Sequence, residues 1–302
     1  MIFIKPVMAV YSIKDLEKIS GIKAHTIRIW ERRYKLIEPK RTATNIRLYS
    51  DDDLKRILNV SILNQNGLKI SKIAELSEDQ LRERVIDLCL DTRNMDVQIE
   101  SLLVAMLELD ESKFSNVLTN SIIKLGFEST VENILFPFLD RIGILWQAGT
   151  INPAQEHFIS NLIRQKLIVA IDNEMQNFRP KSEKRIVFFL PENEWHEIGL
   201  LFYSLLARKE GYNVLYLGAA VPVADLKVVA NIRSTDAFFT SFVTAIEKEE
   251  LESVVRIIGD MVPEQIVFVT GLQIKECSPQ MPEGFSVITT SKEFKEALAK
   301  LQ

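Results

Sequence analysis

Only three histidines occur in the chain, His25, His157 and His196, and two of them lie in patterned surroundings outside a basic first segment. Imidazole is the side chain that titrates near neutrality and the commonest metal ligand, so each position was weighed for chemistry. His196 falls within Pro191-Glu192-Asn193-Glu194-Trp195-His196-Glu197-Ile198-Gly199, directly after an apolar run. That places it in the loop or first helical turn above a sheet edge, where open α/β sheets bind ligands. His157 closes the run Trp146-Gln147-Ala148-Gly149-Thr150-Ile151-Asn152-Pro153-Ala154-Gln155-Glu156-His157 in a helical region. Taken singly, Trp146 reads as the core anchor of a bundle and His157 as a helix-surface residue. Glu194 likewise reads as a helix-capping acid and His196 as a solvent-facing loop residue. The two cysteines, Cys89 and Cys277, are far apart and without CxxC spacing, which excludes a cysteine-rich metal site and suits a reducing compartment. With no nucleophile elbow, phosphate-binding glycine loop or metal-ligand cluster, enzymatic turnover is not expected.

A second chemistry lies near the start. Ser12 opens a helix whose apolar face is Ile13, Leu16 and Ile19, and Gly21 breaks it. The next helix, Lys23 to Tyr34, buries Ile27 and Trp30 and turns His25, Thr26, Arg28, Arg32 and Arg33 outward. That is the layout of a recognition helix. Pro39, the stretch Lys40-Arg41-Thr42 and Asn45-Ile46-Arg47-Leu48-Tyr49-Ser50 follow, a turn-rich hairpin able to bring Arg41 and Arg47 to phosphates as a wing. Charge agrees: residues 1–75 hold 15 Lys+Arg against 8 Asp+Glu, whereas the rest holds 22 against 33. A basic head on an acidic body is the electrostatic layout of a protein that meets nucleic acid at one end.

The elements that position these residues divide the 302-residue chain into three segments. Residues 8–76 are short helices with tight turns. Residues 77–177 carry apolar residues at helical spacing, as in Ile99, Leu102, Leu103, Met106 and Leu107, and form a helical bundle. A polar linker leads to residues 184–302, where the apolar runs Ile186–Leu190, Val214–Leu217, Ala237–Thr240, Ile266–Val269 and Val287–Thr289 alternate with helical stretches. Strands buried on both faces and joined by helices make a doubly wound parallel sheet. The fold expected is multidomain, α and α/β: a winged helix-turn-helix, a four-helix cap bundle and a Rossmann-like domain. No apolar run approaches a membrane span and no export signal is present, so the cytoplasm is the expected compartment.

The first segment resembles the DNA-binding domain of the MerR family of transcription regulators, on Arg28-x-Trp30-Glu31-Arg32-Arg33-Tyr34 and Asn45-x-Arg47-Leu48-Tyr49-Ser50. The resemblance implies a double-stranded DNA operator and a homo-oligomer, a dimer or tetramer, because symmetric half-sites demand a symmetric protein. The family's metal sensors use cysteines beyond this domain, and none stands at a suitable place here.

Glu194-x-His196-x-x-Gly199 resembles the cobalamin-binding motif of methionine synthase and related domains, whose histidine ligates cobalt from below. The chemistry is intelligible: imidazole binds transition metals, a carboxylate two residues away holds its other ring nitrogen, and glycine lets the nucleotide tail approach the backbone. After 41 residues comes Ser241-Phe242-Val243, in the place of the family's serine-x-aliphatic motif, and after 26 more Thr270-Gly271, where the family usually has a glycine pair. Trp146 followed by Glu156-His157 is similar to the cap of the CarH/LitR light-sensing regulators, where the tryptophan covers the upper axial group and the Glu-His pair lies near it. Those relatives commonly carry a second histidine after the tryptophan; here it is Gln147. The resemblance implies a light-responsive repressor binding adenosylcobalamin or methylcobalamin, with cobalt on His196. The alternative keeps the DNA head and makes the sensor domain an apo scaffold for a protein partner or another ligand.

Overall fold

A computed structural model describes residues 11–42, 44–89, 95–147, 151–176, 178–232 and 234–301. The chain forms two compact units, Met1–Leu162 and Ile163–Gln302.

The first unit opens with α1 (Ile13–Ser20) and α2 (Ala24–Tyr34). The Ser12 side chain accepts from the amide of Asp15 and the Asp15 carboxylate receives that of Ser12, so two otherwise unpaired helix-end donors are satisfied. Gly21 ends the helix at φ 68°, a left-handed turn that costs glycine little. A two-stranded antiparallel hairpin follows, β1 (Lys40–Arg41) and β2 (Arg47–Leu48), with Arg41 opposite Arg47. A second capping box, Ser50 with Asp53, starts α3 (Asp51–Gln65). Then come α4 (Ile70–Ile73), α5 (Glu78–Cys89), α6 (Met95–Glu108) and α7 (Glu111–Leu125).

From Val97 to Leu107 every residue of α6 is buried, because α3 and α5 cover one side of it and α7 and α9 (Phe136–Gln147) the other. Between α7 and α9, the short helix α8 (Phe127–Thr130) runs into one wide turn over Val131–Leu135, where the amide of Phe136 reaches back five residues to the carbonyl of Val131. The next residue, Pro137, has no amide to donate, so the ordinary four-residue ladder cannot form there. The last helix of the bundle is α10 (Pro153–Gln176), whose first turn is capped by the Asn152 side chain on the amide of Gln155.

The second unit is a five-stranded parallel sheet: β3 (Arg185–Pro191), β4 (Asn213–Val221), β5 (Ala237–Ser241), β6 (Ile266–Thr270) and β7 (Phe285–Val287), in the order β4-β3-β5-β6-β7. Helices α11 (Glu197–Lys209), α12 (Leu226–Ile232), α13 (Lys248–Met261), α14 (Leu272–Cys277) and α15 (Ser291–Ala299) connect and cover them. Alternate side chains of the inner strands feed two cores. Phe188 and Phe239 stack 5.0 Å apart beside Tyr203 and Phe294, while Val187, Phe189 and Phe238 pack with Leu251 and Val255 of α13 on the other face. The last strand lies two residues earlier than the apolar run suggests. Ile288 still donates to Val269, but the amide and hydroxyl of Thr289 are taken by Glu293 of α15, so the chain turns into that helix.

The strand order reverses at β3: one connection leads outward to β4, the next crosses back to β5 on the other side. In open sheets of this kind ligands are held beyond the carboxyl ends of the strands where the order reverses, which here are the ends of β3 and β5.

Candidate functional site

The loop after β3 carries the sheet-edge histidine. Glu194 is buried while the His196 ring stays half exposed, and Nδ1 of that ring lies 2.6 Å from Oε1 of Glu194. The same oxygen accepts the amides of Trp195 and His196, both at 3.0 Å. The other, Oε2, reaches across to the loop after β5 and accepts the amides of Val243 at 2.7 Å and Thr244 at 2.8 Å. The Thr244 hydroxyl donates to Oε1 at 3.0 Å and stands 3.3 Å from Nδ1 of His196. Burial by itself would raise the Glu194 carboxyl, but the ring of His196 and the amides of Thr244, Val243 and His196 outweigh it and hold its pKa at about 2. An anion so placed keeps the imidazole proton on Nδ1 and the lone pair on Nε2, the form that ligates a metal.

Gly199 follows in the first turn of α11, and a methyl group built there meets nothing within 4 Å, so open space adjoins the backbone. Gly271 has a different reason to be glycine. Its φ is 116°, and a methyl group there would overlap the carbonyl of Phe242, whose oxygen accepts the Gln273 amide. Ser241 ends β5 opposite Thr270 at the end of β6, both buried, and the Phe242 amide donates to the Thr270 carbonyl. Glu194, His196, Gly199, Ser241, Val243, Thr270 and Gly271 thus all stand at the carboxyl edge of the sheet, near the strand-order reversal. Sequence reasoning missed Thr244, which belongs to no motif; its only signal is its place directly after Val243 at the strand end.

Of the bundle residues, Glu156 and His157 lie in the first turn of α10, the His157 Nδ1 2.9 Å from Glu156 and the Ser160 hydroxyl 2.6 Å from the same carboxylate. Trp146 stands in the last turn of α9; its side chain, like that of Gln147, lies outside the described residues.

At the other end of the chain, α2 buries Ile27 and Trp30 and exposes His25, Arg28, Arg32 and Arg33, with Thr26 half-buried. Arg47 in the wing donates through Nε to both oxygens of Glu31 on α2, at 2.9 and 3.0 Å. Tyr49 is buried, with its hydroxyl 3.4 Å from the same carboxylate, and burial ahead of the Glu31 charge lifts its pKa to about 12. Arg41 bonds the Asn45 side chain at 2.7 Å and stays exposed. Glu31, absent from the sequence-derived set, therefore ties the wing to the recognition helix; its signal was a lone acid within a basic helix.

A half-exposed imidazole whose Nδ1 is held by a carboxylate is the kind of donor that ligates a metal, yet no group of three or more His, Cys, Asp or Glu side chains among the described residues could hold an ion. A single protein donor fits a metal that arrives with its other ligands already in place, as in a corrinoid, and the open space at Gly199 leaves room for a tail beside the backbone.

Helix-turn-helix, wing and a ligand-type α/β domain define a DNA-binding regulator that carries a ligand-binding fold. Residues 11–80 match the MerR HTH regulatory protein family, and residues 98–170, within the helical bundle, match the B12 binding domain. The transcriptional repressor CarH of Myxococcus xanthus is 30% identical over 224 residues, 72% of this chain and 73% of its own length. The repressor CarA of the same organism is 29% identical over 80% of each chain. The chain belongs to this family of MerR-type transcription regulators with a B12-binding domain, and it is not an enzyme. A corrinoid protein for monomethylamine from Methanosarcina barkeri shares the fold over 73% of this chain and all of its own, with a TM-score of 0.51 at 11% identity. No helix among the described residues is long and apolar enough to cross a membrane.

Proposed function

We propose that this regulator is a repressor that senses cobalamin at the carboxyl edge of its sheet and answers by changing its assembly on a double-stranded operator. The observation that carries the reading is the Glu194–His196 pair at the strand-order reversal, with Nδ1 engaged at 2.6 Å. His196 would hold the cobalt of a bound cobalamin through its ring. Glu194 holds the ring in one tautomer and orientation, and the loops after β3 and β5 stay in register because one carboxylate receives amides from both. Gly199, Ser241, Val243, Thr270 and Gly271 are assigned to the nucleotide-tail side; Trp146, Glu156 and His157 of the bundle are assigned to the same ligand. When bound, cobalamin supplies a metal whose carbon–cobalt bond is broken by light or by chemistry. The chain would supply a fixed imidazole donor and a DNA-reading head: Arg28, Arg32 and Arg33 with His25 and Thr26 toward the groove and Arg41 and Arg47 on the wing, the buried Tyr49 supporting it through Glu31.

The second reading, an apo scaffold that answers to a protein partner, is favoured by Thr270, whose buried side chain stands where the resemblance expects glycine. One experiment separates the two. The visible spectrum of the protein mixed with adenosylcobalamin in the dark, and again after illumination, is recorded alongside size-exclusion chromatography and an operator gel shift. Cobalamin sensing requires a protein-bound corrin spectrum and a change of assembly and DNA affinity in step with the state of the cofactor. Protein that elutes without corrin supports the apo scaffold, and bound corrin whose assembly ignores illumination leaves cobalamin a chemical rather than a light signal.

A further inference from the structure

Oε2 of Glu100 on α6 and an outer guanidinium nitrogen of its charged neighbour Arg141 on α9 are buried without a hydrogen-bond partner among the described residues, and so is Oδ1 of Asn59 on α3, the helix packed against α6. Helix α3 closes the DNA-reading head and α6 begins the bundle, so this is the joint between the two family matches. The contact is unusually polar for one so buried. Asn59, Ser61, Glu100 and Ser101 are all nearly inaccessible, and Glu100 is only 2% exposed. Ser61 and Gln65 of α3 lie beside the Glu100 carboxyl, and its charged neighbours are Arg141 of α9 and Asp96 of α6, themselves 3.7 Å apart.

Beside Asn59 the joint opens into a cleft of about 250 Å³ lined by Asp52, Lys55 and Arg56 of α3, Glu78 of α5 and Glu108 of α6. Its charges are matched at the rim, Arg56 with Glu78, Lys55 with Asp52, and Glu108 with Lys113 of α7. A polar cleft of that size has room for water beside Asn59, whose Oδ1 lacks a partner among the described residues. A contact that leaves buried polar atoms unpaired gives up the free energy that hydration returns when it opens, whereas an apolar contact would gain nothing from opening.

We infer that the α3–α6 joint is a releasable clasp with Glu100 as its latch: closed around the neutral carboxyl, it opens as the carboxylate forms and takes up water, freeing the DNA-reading head from the bundle. Burial, only partly offset by Arg141, lifts this carboxyl to about 8. Closing therefore binds a proton, and the opening constant rises by up to about tenfold per pH unit between 4.5 and 8, then levels off. Arg141 gives the bundle a hand on the latch. It sits on α9, the helix whose last turn carries Trp146; a guanidinium moved toward Glu100 would pair the carboxylate inside the joint and hold it shut, and one moved away would raise the carboxyl further and ease opening. The clasp itself does not depend on the cofactor reading.

The test is hydrogen exchange of the full-length protein at pH 5.5, 6.5 and 7.5, corrected for the chemical exchange rate, for wild type and Glu100→Gln. The amide keeps the size of the carboxyl and cannot ionise. Expected is a loss of protection of about tenfold per pH unit confined to α3 and α6, with β3 and β5 as internal reference, and a flat profile in the variant. A wild-type change below twofold across the range overturns the clasp, as does an equal loss in Glu100→Gln. Should the variant fail to fold, the wild-type profile decides: a loss restricted to the joint supports the latch, a flat or chain-wide one removes it.

Discussion

Oε2 of Glu194 accepts the amides of Val243 and Thr244, 49 and 50 residues further along the chain, while Oε1 holds Nδ1 of His196 at 2.6 Å. One buried carboxylate thereby fixes a ring on one loop by reference to the backbone of another. A ligand that pulls on His196 pulls on the end of β5 as well.

The first consequence is spectroscopic. His196→Ala should shift bound cobalamin toward the base-off spectrum and weaken binding, Glu194→Ala should do so less, and Thr244→Val, which keeps the amide and removes the hydroxyl, least of the three. Loss of an outer partner typically costs about 10- to 100-fold in metal affinity. Titration followed by visible absorption checks the order; an unchanged spectrum in His196→Ala would take the histidine out of the site.

Acid stability is the second. The folded Glu194 pKa of about 2 lies below the unfolded value of 4.5, so its contribution is fully present above pH 4.5 and fades as pH falls through 2. That span corresponds to about 3 kcal/mol. In Glu194→Gln the amide turns N–H groups toward N–H donors, so the variant should melt well below wild type at pH 7 and approach it near pH 2. Parallel melting temperatures of the two proteins across that range would contradict the assigned network.

The third concerns the wing. Arg47 is spent on Glu31 at 2.9 and 3.0 Å, whereas Arg28 is exposed on the recognition helix. Arg28→Ala should weaken operator binding by about 1–3 kcal/mol if it reads a base, with no change in melting temperature. Glu31→Gln keeps every positive charge but loosens the wing, so it should lower both stability and specific affinity while leaving the salt dependence of binding intact. Gel shifts at several salt concentrations, with thermal melts, separate the two; a stable Glu31→Gln protein of full affinity would show that the tie is idle.

The sheet was legible because strands buried on both faces advertise themselves as continuous apolar runs, and the motif spacings placed His196, Ser241 and Gly271 at strand ends. What could not be read were relations across long loops. Thr244 acts through the second oxygen of Glu194, and nothing in its own neighbourhood signals that. Tyr49 sits in a basic hairpin and reads as a groove-facing side chain, yet it is buried because Tyr11 bridges to it from before α1. Glu100 stands seven residues before Leu107, at the edge of the apolar stripe, where a carboxyl reads as a solvated flank of an isolated amphipathic helix; it is buried because α3 as well as α7 and α9 packs on α6. Periodicity reveals one partner of a helix, not two.

The last prediction turns on Thr270 and Gly271. Gly271 cannot take a side chain, since φ 116° strains any L residue and a methyl group would overlap the Phe242 carbonyl. Gly271→Ala should therefore destabilise the second unit whether or not a ligand binds there, by at least the 1–3 kcal/mol typical of a strained backbone position. Thr270 is under no such constraint: its dihedrals are those of β6 and its backbone carbonyl, which any residue provides, receives the Phe242 amide. Thr270→Gly should cost about 1 kcal/mol of strand stability through added chain entropy. If the buried threonine narrows the passage for the nucleotide tail, the same change should tighten cobalamin binding, so stability and affinity move in opposite directions. Calorimetric titration with a thermal melt reads both. Tighter binding in Thr270→Gly places the tail against β6; weaker or unchanged binding in a folded variant means that the threonine already suits its ligand, and that the tail of a cobalamin does not run there.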